Sequence, residues 1–565
     1  MRQRQHHHNS FHALQCFWTK RQALTLVRVQ IFSACVLILA CSSIAQEHQH
    51  PADGEKLGTV HFTTSCNPAA QQHFDRAVAL LHSFQFNRAI DGFNSALKAD
   101  PSCAMADWGI ALSLWSNPFA TGLKAASQLQ DGRQAAERGR AIGAKTERER
   151  AYIAAVSKLY ADFEKTPQQV RLLAYRDAMA EIAAHYQQDH EASIFYALAL
   201  AASEDPTDKT YASRLKAGAI LEALFAQEPD HPGLAHYIIH TYDVPPLAPR
   251  ALVAAQRYSA IAPDAPHALH MPSHTFTRVG YWQDSIDSNL AASAAARREG
   301  QTAEELHALD YEAYAYLQTA QDEAARRLVQ SLPEIVSRFN PNTLSSGAAP
   351  PSAGYFALAA IPARYALERQ DWKAAAHLEV RETAFPYTEA ITYFARGLAA
   401  AHLGDISSAR ASSDALAKIH ERLAKSNEAY WAEQVEIQRR AVSAWTAHAE
   451  GRTEDALREM RSAAELEDAT EKSAITPGPL ATSRELLGEM LLQMNQPGQA
   501  LEQFDATLKR EPNRFRPLYG AARAAQLKGD RDTSRTYFRE LLKVCEHADH
   551  PGRKELAEAT RAAGS

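Results

Sequence analysis

The 565-residue chain lacks an excess of either charge: Lys and Arg number 60 and Asp and Glu 66, a formal net charge of −6. Without a basic surplus it has no electrostatic footprint for nucleic acid. Strand-like alternation of apolar and polar residues is nearly absent, which argues against a sheet core. Long apolar runs are missing too. The longest, VQIFSACVLILA, is too short to cross a membrane as a helix. There is no HExxH, P-loop, dinucleotide fingerprint, GxSxG or CxxCH, so no familiar catalytic or cofactor motif is present. Cysteine is scarce, with six in all: Cys16, Cys35, Cys41, Cys66, Cys103 and Cys545.

What is present is helix-forming. Hydrophobic residues make up 46% of the chain, alanine dominates, and Leu, Glu, Arg and Gln are common, which predicts an all-α protein. The first 45 residues resemble an export signal. Arg21 and Arg28 precede the apolar run, and Ser43-Ile44-Ala45 is a small-x-small cleavage site. The expected location is therefore periplasmic or secreted. A weak lipidation box at Ile38–Cys41 leaves a lipid anchor on Cys41 as the alternative, and the only route to a membrane. His6–His8 lie in this leader and carry no metal argument. Cleavage after Ala45 leaves Cys66, Cys103 and Cys545. Cys66 and Cys103 flank the first helical hairpin, and either a disulfide or two buried thiols is compatible with that spacing.

A repeat of 34 residues organises the rest, the period of the tetratricopeptide (TPR) helical hairpin. With Pro101 at position 32, Ala77, Ala89 and Ala96 occupy the small positions 8, 20 and 27, with Leu80 and Phe93 at the large positions 11 and 24. Pro229 and Pro263 set two further units. Leu487, Gly488, Leu491, Ala500, Phe504 and Pro512 repeat the pattern near the C-terminus. The spacing predicts a helical-hairpin solenoid in two halves. Its expected parts are a signal peptide (1–45), a flexible linker (46–57), an N-terminal solenoid (58–340), a Pro/Gly/Ser-rich linker loop (341–354), a C-terminal solenoid (355–548) and a tail (549–565). A second loop, 469–482, is a candidate lid. The segments SCNPAAQQHFDRAVALLHSFQFNRAI, HPGLAHYIIHTYDVP, APHALHMPSHTFTRVGYWQDSIDSN and TPGPLATSRELLGEML resemble a family of exported bacterial TPR proteins. That resemblance covers nearly all of the mature chain. It implies the fold and an exported location, and it supplies no reaction.

Chemistry concentrates in one place. His236 and His240 recur 34 residues later as His270 and His274. Residues four apart share a helix face. In TPR numbering His236, His270 and Asp310 fall at position 5, His240 and His274 at position 9, and His267 and His307 at position 2. Asp243 follows at 12 and Arg278 at 13. All these positions line the concave groove. The predicted ligand-binding groove therefore comprises His236, His240, Asp243, His267, His270, His274, Arg278, His307 and Asp310. Within it, His236, His240, His270, His274 and Asp310 are candidate ligands for a divalent transition metal (Zn, Ni, Cu or Fe). Asp243 is a further ligand or an outer partner. The competing readings are a groove for a protein, peptide or small ligand, and purely structural histidines. Pro272 complicates the metal reading: if the helix starts near Met271, His270 falls in a loop and leaves the shared face. His48 and His50 form a weaker metal candidate. Glu191, Asp243 and Asp310 are nominal catalytic bases.

Overall fold

Small residues at the repeat positions set how closely the helices approach. Ala77, Ala89 and Ala96 are fully buried around Phe93. Near the C-terminus, Gly488 and Gly520 receive the Phe504 ring from both sides, and a Cβ on either would collide with it. Prolines at the starts of Pro232–Thr241, Pro266–His270 and Pro272–Val279 occupy first-turn positions, where no backbone N–H is needed.

The computed structural model describes residues 54–564 apart from 121, 206 and 341–346. The described residues form helices and no strand, from Pro68–His82 to Lys554–Gly564. Successive helices pack as hairpins, each mainly against its sequence neighbours, so the chain is an all-α helical-hairpin solenoid. Before the first helix an extended segment laces across it. Phe62 is buried edge-on to Phe74 and Trp108. Cys66 and Cys103 are joined by a disulfide that ties this segment to the start of helix Ala104–Trp115.

Three boundaries differ from the sequence reading. Lys56–Ser565 is one compact unit, not two halves. Contacts from the C-terminal region back to the N-terminal helices bind it together, among them Trp282 Nε1 to Asn513 O at 2.8 Å and Arg514 to the Tyr314 hydroxyl at 2.6 Å. The 341–354 loop ends early, because helix Pro351–Glu368 begins inside it. The 549–565 tail contains the helix Lys554–Gly564, anchored by the buried ion pair of Glu555 with Arg516 at 2.8 Å. The leader, with His48 and His50, lies outside the described residues.

Residues Thr470–Thr482 cross the concave side as a strap. Lys472 reaches Asp243 at 2.8 Å and Glu471 reaches Lys209 at 2.8 Å. Arg364 donates to Thr476 Oγ1 and to the Gly478 and Pro479 carbonyls at 2.9–3.0 Å. The candidate lid is therefore seated against the groove.

Candidate functional site

The groove is filled under this strap. Eight of the nine predicted groove residues are buried and the ninth, Asp243, is partly buried with a side chain 9% exposed, so a peptide has no open surface at the histidines. The histidines are therefore not laid out along an open groove. The physical reason is that the strap and the loops at Asn117–Ala120 and Ala348–Pro350 occupy the concave side. A small cavity of about 10 Å³ bounded by Asn117, Ala348, Pro350 and Ile475 leads in to His240, His267, His274 and His307.

Pro272 does not break the histidine face. Helix Pro266–His270 stops and Pro272–Val279 begins, but Met271 between them keeps right-handed helical angles (φ −54°, ψ −35°). His270 thus remains helical and above His274, their Nε2 atoms 3.1 Å apart.

Six imidazoles form two triplets. His236, His240 and His267 bring one nitrogen each within 4.8 Å of one another, and so do His270, His274 and His307. The sequence reading grouped histidines by row, along positions 5 and 9. The structure groups them differently: each triplet takes positions 5 and 9 of one helix and position 2 of the next. His267 and His307 were predicted as groove residues but not as ligands, although their shared position 2 was the available signal.

The outer nitrogens of the rings are committed. Asn289 Nδ2 donates to the Ser285 carbonyl, which turns its Oδ1 to accept from His270 Nδ1 at 2.7 Å. Asp243 accepts from His274 Nδ1 at 2.9 Å, and the His82 carbonyl accepts from His236 Nδ1 at 2.6 Å. His267 Nδ1 lies 3.8 Å from Glu304. With Nδ1 as donor, the Nε2 atoms of His236, His270 and His274 carry lone pairs directed inward, that of His274 lying 3.2 Å from the Tyr311 hydroxyl. This is how metal-binding histidines are held. Two lone pairs 3.1 Å apart repel each other. Two nitrogens about 2.0–2.1 Å from one ion at a tetrahedral angle lie about 3.3 Å apart. Nε2 of His236 and His240, both nitrogens of His267 and Nδ1 of His307 are buried without a hydrogen-bond partner. Leaving so many buried polar atoms unsatisfied is costly.

Electrostatics keep the ring lone pairs available. Burial, reinforced by the neighbouring histidines, pushes His236, His240 and His270 well below the ordinary imidazole range. Burial likewise takes His274 down to about 4 and His307 to about 3. Burial alone would raise the Asp243 carboxyl, but Lys472, Arg278 and His274 hold it well below the usual carboxylate range.

Asp310 is not part of the cluster. Its two oxygens take the Arg364 guanidinium at 2.8 and 3.3 Å, which removes it as a ligand or a base. Position 5 of the third helix is thus a buried ion pair. Arg278 pairs with Asp243 at 2.9 Å, and Asp243 supports His274 from outside the triplet. Glu191, the third nominal base, bridges His82 at 2.9 Å and His231 at 3.0 Å. These three residues also lie close enough to hold an ion, yet both His82 nitrogens and both His231 nitrogens have partners. That trio is a satisfied hydrogen-bond network, and it fixes the His82 carbonyl that orients His236. Sequence spacing gave no sign of it.

A larger cavity, about 110 Å³, lies on the other side of the strap. Phe356, Tyr387, Phe394 and Trp431 line it, with Arg278, Arg510 and Glu511 among its charged residues.

No protein-family model and no curated protein matches the sequence. Solved structures similar to the chain include a human IFIT1 dimer with m7Gppp-AAAA, at 10% identity and a TM-score of 0.33, covering 85% of this chain and 96% of that one. Yeast Tom70 is similar at 10% identity and a TM-score of 0.27, covering 87% and 95%. The P58(IPK) TPR domain is similar at 16% identity and a TM-score of 0.20, covering 66% and 98%. At these scores the likenesses add nothing to what the helices themselves show.

Proposed function

We propose that the chain is an exported metal-binding protein of TPR type that holds a transition metal in its buried imidazole cluster. The reading is carried by one observation: His236, His270 and His274 have their Nδ1 atoms tied to acceptors, while their Nε2 atoms converge with further unpartnered imidazoles. An all-imidazole donor set suits Zn, Cu, Ni or Fe and disfavours Mg and Ca, which seek oxygen. The TPR frame supplies rigid helices, and the strap excludes water. Elemental analysis of protein purified without an affinity tag tests it. Metal that survives desalting, with a thermal shift on its removal, is expected. No bound metal and no shift with any of the four ions sinks the reading. Export itself is tested by the intact mass of protein recovered outside the cytoplasm. A start at Gln46 supports a soluble exported form, and a lipid-modified Cys41 supports the anchored alternative.

A second reading is favoured by the aromatic-lined cavity at Phe356, Tyr387 and Trp431. Its aromatic lining with charged residues beside it suits a side chain of a peptide or protein partner, or a ligand of similar size. Binding there would be indifferent to chelators and sensitive to Trp431→Ala.

A further inference from the structure

The cluster contains the same arrangement twice. His236 and His240 stand four apart on one helix, and His267 comes from the first helix of the next repeat. His270 and His274 stand four apart, and His307 again comes from the first helix of the next repeat. The offsets are 34, 34 and 40 residues, the last lengthened by the 17-residue helix Trp282–Arg298 between them. Each triplet has its own outer support. The first has the His82 carbonyl on His236 and the second has Asn289 and Asp243 on His270 and His274. Glu304 lies 3.8 Å from His267 of the first triplet. The triplets abut: the His240 and His274 ring centroids are 5.7 Å apart, and those of His267 and His270 are 5.9 Å apart. The small cavity opens onto two rings of each triplet. Three protein nitrogens leave a fourth position on each ion, as in sites that keep a place for an exchangeable ligand.

We propose that the cluster takes two transition-metal ions side by side, one on His236, His240 and His267 and the other on His270, His274 and His307, with their free positions facing the common cavity. This rests on the metal reading above and adds a number and an address to it. A small oxygen ligand such as hydroxide fits between two such ions, which lie about 3.5–4 Å apart when they share one.

The test loads the full chain with zinc, desalts it and counts ions in four forms: the native chain, H236A/H267A, H270A/H307A and the quadruple variant. The quadruple variant measures zinc held elsewhere, including on His6–His8, and is subtracted. Two ions are expected in the native chain and one in each double variant. One ion in the native chain, lost in either double variant, overturns the pair but leaves the metal reading standing. None above the quadruple baseline overturns both. If a double variant loses its helical circular dichroism, the native chain alone still decides. Loaded with copper(II), it is expected to give a spin-coupled electron paramagnetic resonance spectrum at two equivalents, whereas two isolated-ion signals would overturn the pair.

Discussion

Two aspartates near the histidines look alike in sequence and act differently. Asp243 holds the His274 ring, so Asp243→Asn is expected to weaken metal binding by about 10–100-fold, measured by competition with a chromogenic chelator. Asp310 holds only Arg364 and the strap, so Asp310→Asn is expected to leave the metal count unchanged. It should lower stability by about 3–5 kcal/mol in urea, because it leaves a buried guanidinium without its counter-charge. Register separates them, Asp310 at position 5 and Asp243 at 12, but it does not reveal their partners. Asp310 continues the position-5 row, but its partner Arg364 lies 54 residues on, and no local spacing announces it. Glu149 sets a pH expectation. Burial would raise its carboxyl, but hydrogen bonds from Ser65 and Thr146 outweigh this and hold it below the ordinary 4.5. The unfolded chain then binds the proton more readily, so the contribution is fully present above about pH 4.5 and is lost as pH falls through the folded value. Glu149→Gln is expected to flatten the stability–pH curve below pH 5 in denaturant titrations.

At the scale of elements, the hairpins were legible because they are written in local spacing: Ala77, Ala89 and Phe93, or Gly488 and Phe504, meet within one repeat. The triplets were partly legible for the same reason. The strap was not. Its function as a seated cover depends on Lys472 meeting Asp243 and Thr476 meeting Tyr311, pairs 229 and 165 residues apart. The tail helix was missed because its anchor is the distant Arg516. The disulfide between Cys66 and Cys103 closes a sequence separation of 37. Replacing both cysteines with serine is expected to cost about 2–4 kcal/mol and to lower the thermal midpoint, while the zinc count of the loaded chain stays unchanged.

Over the whole molecule, the strap ties the N-terminal and C-terminal helices across the concave side and covers the imidazole cluster proposed to hold metal. If the cluster holds metal as proposed, lifting of the strap is the expected route of release. Chelator-driven loss from the native chain is expected to be slow and independent of chelator concentration. Thr476→Ala combined with Lys472→Met should accelerate it at least several-fold, followed by stopped-flow absorbance. Rates unchanged by that pair of substitutions would argue that the Asn117–Pro350 side is the exit. The 5, 9 and next-2 pattern has a consequence for construction. A site spelled by one repeat and the first turn of its successor is copied whenever the repeat is copied. Tandem duplication of such a unit multiplies metal positions without inventing new ligands, and the Asp310–Arg364 pair marks the point at which this chain stops counting.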